Sequence, residues 1–330
     1  MPQAPVTRRR FLGLAAAGAA VSLAGCGGES SPSSAGSGAV EPTTLRNCVY
    51  AKNHASAPLY WQQFAPEGIT VETRIVTSSA EIQDALEGGS LDFGLIGTYS
   101  TIIGLAEGGL NSRIIGMCAR QGIGLVGRTG VVERVADLAG KRIAVPPPGV
   151  QVLILQSLLR DAGLALDGDV EGVPLGYADH PGALQRGDVD AYIGTEPLCT
   201  QSVVAGVGGR LDEVYDTPLG DFNTALWASP AMLEQPGLCR AAASMQRQAA
   251  EFLTPGGAND PEVWRDLLVT QFGYDEAVYA AVLDNVGAEW RFDSAREQQF
   301  TGTGATMAEL GIIDAEPDYE PAFARDYWDR

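Results

Sequence analysis

Only two histidines, His54 and His180, occur in 330 residues, and no Cys-x-x-Cys pair accompanies them. Without clustered imidazoles or paired thiolates, the chain lacks the ligand spacing of a zinc site or an iron centre. A glycine-rich phosphate loop is missing too, which excludes the ATPase of a transport system. Beyond residue 23 no apolar run reaches the roughly 20 residues a membrane-spanning helix needs. Positive charge is scarce: 22 Lys and Arg stand against 41 Asp and Glu, a formal −19. Such a surface repels nucleic acid and anionic lipid. No cofactor, metal or nucleic-acid partner is expected.

What is present begins with export. Arg8, Arg9 and Arg10 precede a short apolar stretch, Phe11 to Leu23, built from Ala, Leu, Gly and Val. A basic start followed by an apolar run too short to span a bilayer is the pattern of a secretory signal. Thr7-Arg8-Arg9-Arg10-Phe11-Leu12 resembles a twin-arginine export signal, and Leu23-Ala24-Gly25-Cys26 resembles a bacterial lipobox. Residues 1–25 are therefore expected to be cleaved and Cys26 to carry lipid. Residues 26–43, rich in Gly and Ser, form a tether with a reach on the order of 20 Å. Loss of the signal removes three arginines and no acid, leaving 41 acids against 19 bases, or −22. The mature body should stay soluble while standing off the membrane that holds it.

The apolar share, 45%, suits a globular protein with a real core. Lipidation of Cys26 leaves Cys48, Cys118, Cys199 and Cys239, which admit three disulfide pairings in an oxidising compartment. Cys48 and Cys118 sit in apolar strand-like runs, where a free thiol acts as a small hydrophobe. Buried thiols are the favoured reading.

Strand and helix patterns alternate along residues 44–229. Leu45–Ala51, Ile69–Val76, Leu91–Gly97, Arg113–Ala119 and Arg142–Val145 read as strands. Ser78 with Glu81 forms a capping-box pattern ahead of Ile82, Ala85 and Leu86. A helix from Val150 to Ala162 carries Ile154, Leu155, Leu158 and Leu159 on one face and stops at Gly163. From Ser229 the pattern changes to helices alone, around Gly237–Leu253, Pro261–Phe272, Glu276–Asn285 and Ala295–Leu310. Repeated β-α-β order predicts an α/β fold with mostly parallel sheets, plus a helical C-terminal tail packing back on the first half. An internal echo supports two halves. Gly89-Ser90-Leu91-Asp92 and Gly187-Asp188-Val189-Asp190 each follow a helix and lead into a short strand. Those strands end in Thr98-Tyr99-Ser100 and Thr195-Glu196-Pro197. Strand C-terminal ends are where open α/β sheets bind ligands, so both loops should face one cleft.

These residues resemble the substrate-binding proteins of nitrate, sulfonate, taurine and thiamine-precursor ABC importers. The resemblance spans about Leu45 to Ile313. It rests on the lipobox, the two Asp turns, Asp137-Leu138-Ala139-Gly140-Lys141-Arg142-Ile143-Ala144-Val145-Pro146, and Glu196-Pro197. It implies a two-lobed type II periplasmic-binding-protein fold, with residues 44–127 and 230–330 in one lobe and 128–229 in the other. The chain would cross between them near Gly122–Arg128 and Asp221–Ser229. The sequence departs from the sulfonate pattern at Val150, where Ser or Thr is usual, and at Thr195, where an aromatic is common.

Two helix starts, Gly149-Val150-Gln151 and Thr98-Tyr99-Ser100, offer free backbone N–H groups to an anion or polar oxygen. Asn53 and His54 follow the first strand, where the resemblance implies a cleft lining. Glu196 stands as a carboxylate for a ligand amine, or alternatively as a partner of a basic group or a helix cap. Tyr99, Tyr177, Trp61 and Trp227 suit stacking on a flat ligand or lining an apolar pocket, with core packing an equal reading for Trp227. The expected activity is capture of a small polar nitrogen or sulfur compound by hinge closure. A taurine-like zwitterion, a sulfonate or an amino-heterocycle would fit. The protein is expected not to be an enzyme, to be monomeric, and to sit lipid-anchored on the outer face of the cell membrane. Its partners are then the solute and the permease. The competing readings are a pyrimidine- or menaquinone-pathway enzyme on the same fold, and a sensory binding protein.

Overall fold

The computed structural model describes residues 42–211 and 214–328. The expected signal peptide, Cys26 and all but the end of the tether lie outside the described residues. The first sheet draws on β1 (Thr43–Tyr50), β2 (Ile69–Val76), β3 (Phe93–Gly97) and β4 (Arg113–Gln121), with α1 (Ser79–Glu87) and α2 (Thr98–Ala106) between them. A second sheet follows: β5 (Ile123–Arg128), β6 (Arg142–Val145), β7 (Glu171–Pro174), β8 (Ala191–Thr195) and β9 (Gly208–Leu211). Its helices are α3 (Val150–Asp161), α4 (His180–Arg186) and α5 (Leu198–Val204). The chain returns through β10 (Phe222–Ala228) and continues as α6 (Pro230–Leu233), α7 (Pro236–Leu253), α8 (Pro261–Arg265) and α9 (Glu276–Val282). It ends with β11 (Val286–Ala288) and α10 (Ser294–Glu309).

Local chemistry sets several of these boundaries. Ser78 caps α1 by accepting the N–H of Glu81, while Glu81 reaches back to the N–H of Thr77. Asp293 and Asp260 cap α10 and α8 in the same way. Gly187 ends α4 in the left-handed conformation, which a side chain would strain. On α3, Leu153, Ile154, Leu155 and Leu159 are fully buried, and each such side chain is worth about 1.5–3 kcal/mol of removed apolar surface.

The strand orders are β11-β4-β10-β3 and β7-β6-β8-β5-β9, with β1-β2 as a separate parallel pair. The N–H of Asp92, just before β3, donates to Arg46 O on β1 at 2.9 Å, so the pair lies beside the first sheet. The two sheets then share one plan. β3 in the first and β8 in the second each lie next to a strand that has come from the other sheet, β10 and β5 respectively.

The sheets are less parallel than expected. Among the named strands, parallel pairing is confined to β1–β2, β6–β7 and β6–β8; the partner strands of β4, β5 and β10 are antiparallel. A β-α-β unit brings the chain back in the same direction, but a strand entering straight from the neighbouring sheet has no such crossover. The crossings also fall one strand away from the expected positions. β5 already pairs in the second sheet and β10 already pairs in the first. The break points are therefore Gly122 and the return between β9 and β10. The tail is not helical throughout, because β11 adds to the edge of β4. Three residues are too few to show a strand period in sequence. As expected, the tail packs on the first half, with α7 against β4 and β11.

The matched turns have matched roles. Asp92 accepts the backbone N–H of Arg46 at 2.7 Å and grips its guanidinium. Asp190 accepts the N–H of Arg142 at 3.1 Å and holds Arg128. The carbonyls of Asp92 and Asp190 each receive one N–H from the incoming strand, Ser229 and Arg128 respectively. Each aspartate thus ties three strands together at one end of its sheet. Cys48, Cys118, Cys199 and Cys239 are buried free thiols.

Candidate functional site

The opposite ends of the strands meet around Gly122. Asn53, in the turn after β1, donates through Nδ2 to Thr195 Oγ1 at the end of β8, 3.1 Å away. Thr195 passes the link on by donating to Gly122 O at 3.1 Å. The N–H of Glu196 also donates to Gly122 O, at 2.9 Å. Asn53 Oδ1 accepts the N–H of Ala55, which fixes the turn that carries it. First-sheet and second-sheet groups are therefore bonded directly across a seam.

His54 sits in the same turn and is only 1% exposed. Its ring lies on Gly122, where an added Cβ would come within 1.9 Å of Cε1; Gly122 itself has φ +79°. Both requirements exclude any other residue there. Neither ring nitrogen completes a hydrogen bond, although the backbones of Glu196 and Gln121 flank the ring. Burial pushes the imidazole down to about 4, outweighing those two backbone neighbours.

Glu196 precedes a cis peptide bond to Pro197 and is fully buried. Its carboxylate pairs with Arg210 on β9 and accepts the N–H of Thr200 in the first turn of α5 at 3.0 Å. Arg210 also donates to Thr200 Oγ1 at 2.8 Å. The structure thus spends this acid on a basic partner and a helix start, so a ligand amine would have to compete with Arg210.

The first sheet offers the opposite situation. Thr98 opens α2 and is 1% exposed, yet its hydroxyl finds no partner among the described residues; Thr224, paired in register with Gly97, is buried and its hydroxyl likewise finds none there. Neither α2 nor α3 has a side-chain cap at its N-terminus, which leaves the first-turn N–H groups at Thr98-Tyr99-Ser100 and Gly149-Val150-Gln151 without that satisfaction. The two helices touch. Val150 is buried, while Tyr99, Ser100, Gly149 and Gln151 are half-buried. Tyr177, half-buried before α4, is electrostatically close to Tyr50 at the end of β1. Tyr50 in turn shares a 2.7 Å hydrogen bond with Ser79. Burial pushes both phenols up, so they remain protonated donors.

Trp227 does not join this group. It is fully buried in β10 opposite Gly94 and Ile114, three residues along from the Thr224–Gly97 pair and so about 10 Å from it. Trp61 is likewise a core residue, packed edge-on against Phe93 with its indole N–H given to Gln246. Sequence reasoning missed Arg210, Tyr50 and Ser79. The one general signal for Arg210 is that a buried carboxylate requires a donor, but no spacing rule singles out an arginine two elements later.

The model of the NMT1-like family matches residues 52–218. No curated protein is similar in sequence. Among solved structures, a ligand-binding component of an ABC-type import system from Staphylococcus aureus, with zinc bound, aligns at a TM-score of 0.72 and 15% identity. The alignment covers 87% of this chain and 98% of that one. The periplasmic aliphatic sulphonate binding protein SsuA from Escherichia coli aligns at 0.68 and 21%, over 86% and 92% of the two chains. A desulfurization enzyme, DSZB, aligns at 0.63 and 15%, over 86% and 97%. At these identities the likeness establishes the fold: the α/β architecture of periplasmic binding proteins.

Proposed function

Because the chain belongs to the NMT1-like family, we propose that it is an exported, lipid-tethered solute-binding protein of an ABC importer. In this reading residues 44–122 with 222–330, and residues 123–211, move as two lobes, and a solute held between them favours the closed arrangement. The observation that carries the reading is the set of unspent donors at the seam: the buried Thr98 hydroxyl and two uncapped helix starts on touching helices. Asn53, Tyr99, Ser100, Gln151 and Tyr177 complete the proposed lining. Since Arg210 occupies Glu196, the available donors suit the acidic or carbonyl-like end of a solute best. A sulfonate, a taurine-like zwitterion or an amino-heterocycle bearing an acceptor meets that description. The permease and the lipid anchor through Cys26 are the other proposed partners.

A thermal-shift screen of taurine, alkanesulfonates, nitrate, aminopyrimidines and aromatic acids tests this. A solute at 100 times its Kd adds about 2.7 kcal/mol to stability. Mass spectrometry of the incubated solute separates binding from catalysis, because a binding protein returns it unchanged. No stabilising solute in the panel, or turnover of one, would count against the proposal.

A further inference from the structure

We propose that His54 is an acid-sensitive wedge at the crossing, holding the two sheets together only while its imidazole is uncharged. The inference rests on the two-lobe reading above. The ring fills a notch that only glycine permits, at the one-residue link between β4 and β5. The ring lies against the backbone of Gln121, in the first sheet, and against that of Glu196, after the last residue of β8. It is therefore packed by both halves at once, in the turn whose Asn53 bonds across the seam.

A charged imidazole in that notch would be dry and without a counter-ion. The ionisable groups on the surrounding elements are Lys52, Arg120, Glu196, Arg210, Asp221 and Asp284, with the phenols of Tyr215 and Tyr274. The acids among them are paired or solvated. Glu196 is paired with Arg210, Asp221 with Arg296, and Asp284 is exposed to solvent. Parting the sheets gives the ring water. The sign follows from burial: the closed form holds His54 down to about 4 from an ordinary 6.5. Closure is thus fully favoured above about pH 6.5 and weakens as pH falls, by roughly tenfold per pH unit, until about pH 4. A sheltered histidine would in this way release solute on acidification.

The test is small-angle scattering of the purified protein without solute, from pH 7.5 to 5. That range stays above the sequence pI of about 4.4 and spares most carboxylates. Wild type is expected to expand below pH 6.5, with the open-to-closed ratio rising roughly thirtyfold by pH 5, while His54→Asn and His54→Gln hold one size across the range. The expansion should follow the ring proton of His54 in a proton NMR titration, with His180→Asn separating the only two histidine signals. That titration serves if neither His54 variant folds. Equal expansion in the His54 variants, a wild type of constant size, or loss of the expansion in His180→Asn would each overturn the wedge. No solute is involved, so a failed solute screen leaves this result standing on its own.

Discussion

Asp92 and Asp190 occupy the same place in the two sheets, and so do Thr98 and Glu196, yet only the first pair behaves alike. Both aspartates bind the N–H of a neighbouring strand, hold an arginine and take up the incoming strand. At the other end of the same strands, the second sheet closes its loop on itself through Glu196, Arg210 and Thr200. The first sheet leaves Thr98 buried and unbonded. A buried hydroxyl without a partner costs on the order of 1–3 kcal/mol. At the aspartate ends both sheets are thus tied in the same way, whereas at the seam one half is bonded within itself and the other half holds an open valence. That asymmetry suits a site in which the second half serves as a fixed wall and the first supplies the polar contacts.

The largest expected effect comes from unmaking the fixed wall. Arg210→Met leaves the buried Glu196 carboxylate alone and should cost about 3–5 kcal/mol in urea unfolding. The double variant Arg210→Met with Glu196→Gln should recover much of that loss. If the single variant is as stable as wild type, the wall is not held by this pair.

Next come the two aspartates. Asp92→Ala should destabilise by about 2–3 kcal/mol, since it strands one backbone N–H and frees a guanidinium. Asp190→Ala should cost somewhat less, because Arg128 reaches Asp190 through one guanidinium N–H whereas Arg46 grips Asp92 through two. Reversed order in chemical denaturation would break the equivalence of the two turns.

Gly122→Ala tests the crossing itself, where a left-handed φ coincides with the His54 ring. A loss of more than about 1 kcal/mol is expected, in contrast to the gain of about 0.4–1 kcal/mol that Gly to Ala brings at a compatible site. Thr98→Val should be the mildest: within about 1 kcal/mol of wild type in stability, or slightly stabilising, because it removes an unsatisfied hydroxyl. It should nevertheless weaken any solute found in the screen. A variant that binds as tightly as wild type would remove Thr98 from the site.

Much of the chain was legible in this way. The strand Ile69–Val76 and the helix from Val150 coincide with their periodicity, and Ser78 caps α1 as its pattern predicts. The crossings were not, because β5 and β10 are buried apolar runs that read the same in either sheet. For the same reason Trp227, a large aromatic in such a run, gave no sign of whether it lined a site or filled a core. The contents of the seam were half visible: Asn53, His54, Thr98 and Glu196 were singled out by position, while the use made of each depended on what lay opposite.

Local sequence determined the elements, their caps and the two repeated aspartate turns, since each depends on residues within a few positions of one another. Only the tertiary structure decided that Glu196 faces Arg210, that His54 fills the space above Gly122 and that Thr98 is left without a partner. Those outcomes depend on groups brought together by the crossing of the chain between sheets. Pairing across such distances follows from burial and the direction of approach, and neither is written into spacing along the chain.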